Sequence, residues 1–337
     1  MSGPSGPVVA LIEHDRGVAP DTSFQALTFA RSVAEQLGTA VEAVIIGEEA
    51  QPLATEAASR GAIKTWLVRH PELTDYGPEA WGDAMAQVTT ASGAAAVVAV
   101  GTDRGNEVLA HAAAIDDLPF AANVVGVEVA AGPWALERVR WGGSLLERST
   151  LDAPVKVLSV PPHAVPAAEP GNGELGTVED FAPELDDQAA RTRIVERVPA
   201  AAGSSLAGAA VVVSGGRGVG SAEGFAALEE LAGLLGGAVG CSRVVTNNGW
   251  RPHSDQVGQT GKRIAPELYI ACGISGAIQH WVGMMAAKRV LAINIDRDAP
   301  MVTKADYAVI GDLHTILPAV VSEVRRRKEG ATVGGDG

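Results

Sequence analysis

The stretch PELYIACGISGAIQH, Pro266–His280, holds a strand, a glycine turn and a helix start in one short run. Residues Glu267–Cys272 are largely apolar without alternation, which is how a strand buried on both faces of a parallel sheet reads. The turn Gly273–Gly276 leads into a helix expected over Gly276–Ala287. At such a start the first backbone amides lack intrahelical partners and, together with Ser275, can meet a phosphate or a carbonyl oxygen. Gln279 and His280 fall in the first turn or so of that helix, on the ligand side. This order makes the second half of the chain α/β, with any ligand at the carboxyl ends of the strands.

The flanking sequence repeats the unit. Strands are expected at 209–214, 238–243, 289–295 and 307–310, with helices at 222–235 and 314–327. In the first half, strands at 8–12, 41–46, 65–68 and 95–100 alternate with helices at 24–37, 50–60, 78–92 and 101–115. Thr22 or Ser23 is placed to cap the first of these helices. Further strands at 123–129, 134–141 and 155–159 lie in a more irregular region. From Val165 to Ala190 the pattern dissolves into Pro, Gly and carboxylates, which reads as a long surface excursion that includes the acidic insert Glu169–Asp187. Residues 192–198 alternate like a strand and are expected to rejoin the first sheet. The small residues AAAGSSLAG, Ala200–Gly208, suit a hinge. The expectation is therefore two α/β domains, 1–200 and 209–330, joined at 201–208. Each has a mostly parallel sheet flanked by helices, and the second is Rossmann-like.

Composition excludes several classes. A net charge of −14 repels a polyanion, so no nucleic-acid partner is expected, although a local basic pocket can still hold one phosphate. Apolar runs such as Ala94–Val100 and Leu206–Val213 are far short of the ~20 residues that span a bilayer. No basic stretch precedes an apolar one at the amino terminus, so a secretory signal and membrane insertion are not expected and a cytoplasmic setting is. Cys241 and Cys272 sit in apolar strand-like stretches and read as reduced core residues.

Three clusters carry candidate chemistry. SGGRGVG, Ser214–Gly220, follows a strand and precedes a helix. Ser221 stands where the dinucleotide fingerprint needs glycine, and no Lys follows Gly220, so the stretch reads equally as a tight turn or a phosphate cradle with Arg217 beside it. Arg243 follows a strand directly and reads either as a cleft cation or as a solvated arginine. The third cluster is Asp255–His280, with its polar glycine loop and helix start. No second histidine or carboxylate lies at metal-ligand spacing from His280, and no Ser–His–acid set is apparent.

Taken together, GGRG (Gly215–Gly218), CSR (Cys241–Arg243), QVGQTG (Gln256–Gly261), PELYIA (Pro266–Ala271), GISGAIQH (Gly273–His280), AIN (Ala292–Asn294) and ADY (Ala305–Tyr307) resemble the FAD domain of electron transfer flavoprotein alpha subunits. The resemblance is specific from Gly215 to Tyr307; the first half is similar mainly in rhythm and length. It implies that Arg217 and nearby amides hold FAD phosphates or the adjoining ribose. Ser242 and Arg243 would lie at the flavin, whose reduced form the arginine's fixed charge favours. Gln256, Val257, Gly258, Gln259 and Thr260 would line the flavin ring, with the Thr260 hydroxyl at its N5 edge. Ser275, Gly276, Ala277, Ile278, Gln279 and His280 would cover the pyrophosphate and pyrimidine side, His280 donating towards the C2 carbonyl. Asn294, Asp312 and Leu313 would meet the adenosine and ribityl end. One departure from the family pattern is Asn247, where an aspartate is common.

The resemblance further implies a redox carrier, with no catalytic residue of its own, in a heterodimer with a beta subunit. Its first domain would contact that partner. Electrons would arrive from flavin-dependent dehydrogenases and leave to a quinone reductase or similar acceptor. An alternative within the same resemblance is an NADH-oxidising, flavin-bifurcating complex. A third reading, a nucleotide-binding regulatory protein without redox use, is disfavoured by the joint presence of Arg243, Thr260 and His280.

Overall fold

Alternation along the first strand, β1 (Val8–Leu11), organises the amino-terminal unit of the computed structural model. The structure describes residues 6–171, 175–186, 189, 191–196, 206 and 208–333, and the chain divides into two compact units, Met1–Val198 and Pro199–Gly337. Val8 and Ala10 face helices α1 (Gln25–Leu37) and α2 (Gln51–Ser59); Val9 and Leu11 face α3 (Pro78–Ser92) and α4 (Asp103–Ile115). Successive side chains of a strand point to opposite faces, so a fully apolar strand needs a helix layer on each side.

β2 (Val41–Ile46), β3 (Lys64–Val68) and β4 (Ala96–Val100) flank β1. The chain then adds a short strand β5 (Phe120–Ala121) and an antiparallel meander, β6 (Val124–Glu128), β7 (Trp134–Arg140) and β8 (Leu145–Leu151). It returns through β9 (Lys156–Val160) and ends in β10 (Thr177–Phe181). The main sheet is parallel, in the order β10-β3-β2-β1-β4-β9-β5. The meander leans on its α1 side through Val124, Trp134, Leu136 and Leu151.

Three expectations are corrected here. Neither Thr22 nor Ser23 caps α1: a 3-10 turn, Asp21–Phe24, runs straight into the helix, and the Ser23 hydroxyl donates to the Glu13 carbonyl at 2.6 Å. Residues 191–196 form no strand, and 197–198 lie outside the described residues. The strand on the β3 edge is instead β10, inside the acidic stretch expected to be irregular. An edge strand needs one ladder and little burial, and its carboxylates pair with β3 and the residue after it: Glu179 with Lys64 at 2.6 Å, Asp180 with Arg69 at 2.8 Å. The expected hinge at 201–208 falls outside the described residues except for 206 and 208.

The second unit is built from β11 (Val211–Gly215), α5 (Ala226–Leu234), β12 (Ala238–Cys241), a short helix α6 (Arg243–Asn247), β13 (Leu268–Cys272) and α7 (Ile278–Met284). β14 (Arg289–Asn294), α8 (Pro300–Lys304), β15 (Tyr307–Ile310) and α9 (Leu313–Val333) complete it. All five strands are parallel, in the order β12-β11-β13-β14-β15. Phe225, Leu228, Leu231, Leu317 and Val321 cover one face; Val257, Ile264, Met284 and Met301 cover the other. The direction of winding reverses between β11 and β13, so their carboxyl ends open a crevice at the switch point. The helix after β13 is shorter than expected because the chain stays extended until Ala277. α6 and α8 occupy segments in which no helix was expected.

Cys241 and Cys272 each stand level with Gly215, on either side of it. Two strand spacings are roughly 10 Å, beyond the reach of a disulfide. Both thiols are fully buried, and burial pushes each up to about 12, so they are core residues without thiolate chemistry.

Candidate functional site

At the switch point the loops after β11 and β13 interlock through backbone alone. The Gly216 amide donates to the Cys272 carbonyl at 2.9 Å, and the Gly218 amide to the Gly273 carbonyl at 3.1 Å. A methyl group on Gly218 would lie 2.8 Å from the Gly273 Cα, so this approach requires glycine. Gly276 takes φ +82°, and a Cβ there would press into the Met301 backbone.

Around this knot lies a cleft of about 350 Å³. Arg217 and Gly218 line it from β11, Ser242 and Val244 from β12, Gly273–Ala277 and His280 from β13, and Asn294–Asp296 with Ala299 from β14. Asn294 pins two walls together: its Nδ2 donates to the Ile274 carbonyl at 3.0 Å, and its Oδ1 accepts from the Asp296 amide at 3.1 Å. Arg217 is exposed and makes no ion pair among the described residues.

His280 is the buried titratable group of the cleft. Its Nε2 lies 2.7 Å from the Tyr269 hydroxyl, and its Nδ1 is buried with no partner in the protein. Burial pulls it down to about 4, against a smaller opposite effect of the Val257 carbonyl, so the ring is neutral near pH 7. A buried polar atom without a partner is uncommon and costs about 1–3 kcal/mol unless something satisfies it.

The loop Gln256–Gly261 is docked beside α7. The Val257 amide donates to the Cys241 carbonyl at 2.9 Å and the Gln259 amide to the Gln279 carbonyl at 2.7 Å. Gln256 is buried, accepting from Thr246 at 2.8 Å and donating to the Thr260 hydroxyl at 2.9 Å, which ties the loop to α6. Arg251 anchors the preceding turn, meeting Asp255 at 2.8 Å and also pairing with Glu229.

Of the expected site residues, the cleft brings together Arg217, Ser242, Ser275, Gly276, Ala277, His280 and Asn294. Arg243, Gln256, Val257, Gly258, Gln259, Thr260, Ile278, Gln279, Asp312 and Leu313 do not line it. Arg243, Gln259 and Thr260 are exposed, Val257 packs in the core, and Leu313 lies in the core on the other face. Asp312 accepts from the His314 amide at 3.0 Å and so caps α9. Val244, Ile295, Asp296 and Ala299 line the cleft without having been singled out. Their signal was position, since each follows the carboxyl end of a strand.

A smaller cavity of about 220 Å³ lies in the first unit, beside His14, Tyr76, Trp81 and Arg104. Its main polar side chains already have partners in the protein. His14 bonds the Ile46 carbonyl at 2.8 Å and the Gly17 amide at 3.1 Å, Tyr76 donates to Glu107 at 2.6 Å, and Arg104 meets Asp15 at 3.6 Å. Among the described residues no cluster suits a metal ion, and no helix is long and apolar enough to cross a membrane.

Comparison with known proteins agrees with this geometry. Residues 205–285 match the family described as "Electron transfer flavoprotein FAD-binding domain", and residues 8–186 match "Electron transfer flavoprotein domain". The chain is similar to the electron transfer flavoprotein subunit alpha of Thermoanaerobacterium thermosaccharolyticum, 33% identical over 94% of this chain and 97% of that one. The corresponding Bacillus subtilis subunit is 34% identical over 95% and 97%. That of Mycobacterium tuberculosis is 37% identical over 95% and 99%.

The residues present fit FAD. The cleft has room for a pyrophosphate beside Gly276 at the turn into α7, Arg217 supplies a cation without an ion pair among the described residues, and Nδ1 of His280 is buried without a partner.

Proposed function

The chain belongs to the electron transfer flavoprotein alpha subunit family, and on that premise we propose how its residues divide the work of holding FAD and passing electrons. It binds FAD and serves electron transfer as the alpha subunit of a heterodimer. Bound FAD supplies the redox chemistry; the protein supplies position, charge and the exclusion of water.

Arg217 and the Gly276 amide hold the diphosphate, where a guanidinium and an oriented N–H group suit the negative charge. Ser275 and Ala277 continue that wall. His280 donates from Nδ1 to a carbonyl of the flavin ring, and Ser242 lies along the ring. Arg243, Gln259, Thr260, Ile278 and Gln279 are exposed beside the cleft and cover the ring once it is bound, with Gln256–Gly258 behind them. Asn294, Asp312 and Leu313 frame the adenosine end. The observation that carries this assignment is a neutral, buried histidine with one unpartnered nitrogen in a cleft at the switch point.

Electrons come from flavin-dependent dehydrogenases and leave to a quinone reductase or similar acceptor, in the cytoplasm. The beta subunit docks on the first unit, where Trp141, Leu145 and Leu146 are 77%, 55% and 71% exposed around the β7–β8 turn. Large apolar side chains exposed around one turn mark a contact site.

The test is substitution of Arg243. In the heterodimer, Arg243→Ala should weaken FAD binding and lower the flavin potential, because a nearby cation reduces the cost of adding an electron. Unchanged binding and potential would remove Arg243 from the flavin site.

A further inference from the structure

Tyr269 sits in the middle of β13, fully buried, with its hydroxyl 2.7 Å from His280 Nε2. The two rings are 6.1 Å apart and tilted. A neutral imidazole has one N–H and one lone pair, and the partner of one nitrogen decides what the other offers. The Ser214 hydroxyl nearby is buried without a hydrogen-bond partner of its own. Among the described residues His280 Nε2 is the hydrogen-bond partner of the phenol, so the phenol proton is directed there. Burial raises the Tyr269 pKa well above the ordinary phenol value, so that proton is held. Nε2 then accepts, and the ring proton belongs on Nδ1, the nitrogen without a partner. The Val257 carbonyl lies near the ring but makes no hydrogen bond to Nδ1.

We propose that Tyr269 is a positioning residue whose hydroxyl fixes His280 as the Nδ1–H tautomer and so presents an N–H donor to a carbonyl acceptor of the bound cofactor. This rests on the reading above in which His280 faces FAD. With the opposite tautomer, Nδ1 would present a lone pair to that oxygen, and the contact would be repulsive. A fixed donor at that oxygen strengthens as negative charge gathers there on reduction, so it favours the reduced cofactor.

The experiment uses the FAD-loaded heterodimer labelled with nitrogen-15 histidine. His280 is identified by loss of its signals in His280→Ala. Wild type is expected to show His280 as a single neutral Nδ1–H tautomer. Tyr269→Phe keeps the ring and should lose that signature, lower the flavin potential, and weaken FAD binding roughly three- to tenfold, the worth of one net hydrogen bond. An Nε2–H tautomer in wild type overturns the proposal, and this measurement decides by itself if Tyr269→Phe fails to fold. A folded Tyr269→Phe with unchanged tautomer and potential also overturns it. The underlying reading fails separately: His280→Ala would then leave both FAD affinity and potential unchanged. An effect of His280→Ala without one of Tyr269→Phe removes only the positioning role.

Discussion

His280 couples the site to stability through its proton. An ordinary histidine titrates near 6.5 and the folded His280 near about 4, so between these values the unfolded chain binds one proton more. Stability contributed by the neutral ring is therefore fully present above 6.5 and is lost as pH falls towards 4, at roughly 1.4 kcal/mol per pH unit. In denaturant melts of the heterodimer, the gap between wild type and His280→Asn should shrink from pH 7 to pH 5. A gap that stays constant would mean the ring is not held neutral by burial. At this scale the sequence was partly legible. Arg217, Ser242, Ser275 and His280 could be placed because they follow strand ends. The Tyr269–His280 pair could not, since a strand, a turn and an extended run separate two residues that only the fold brings to 2.7 Å. The bonds by which Gln256 ties Thr246 to Thr260 could not be read either, since they depend on how the loop folds back on α6.

Elements position these residues through backbone contacts more than through side chains. The knot at Gly216, Gly218 and Gly273 holds two loops at the crevice, and Gly276 turns the chain into α7. Gly276→Ala adds a side chain at φ +82° against Met301, a strained backbone position costing about 1–3 kcal/mol. The variant should keep its folded core and lose at least tenfold in FAD affinity, as isothermal titration of the apo-heterodimer would read; unchanged affinity would separate this turn from the cofactor. Elements with strong periodicity were legible: 41–46, 78–92 and 307–310 have the bounds the pattern gives. β10 was not, because an edge strand with four of five residues exposed carries no burial signal and its pairing with β3 is long-range. β8 was missed for a related reason. Its register is set by the facing strand β7, and its outward leucines obscure the alternation.

At the scale of the whole molecule, the proposed function divides partner contact and cofactor binding between two α/β units. The exposed Trp141, Leu145 and Leu146 belong to the first unit, and Leu146→Glu combined with Trp141→Glu should leave the first unit folded while weakening the heterodimer at least tenfold in sedimentation. An unchanged heterodimer would move the partner contact to another face. The two-unit rhythm was readable from the alternation of strands and helices. The partner surface was not, because exposure of a leucine is a property of the fold and not of its neighbours in sequence. The central claim is that the crevice between β11 and β13 holds FAD. The most direct measurement is the absorption spectrum and cofactor content of the co-expressed heterodimer, comparing wild type with a variant carrying Arg217→Ala and Gly276→Ala. The account predicts about one FAD per alpha chain at this site in wild type, and its loss in the variant while the heterodimer persists. A colourless wild-type heterodimer that takes up no added FAD, or a variant that keeps its full FAD content, would contradict it.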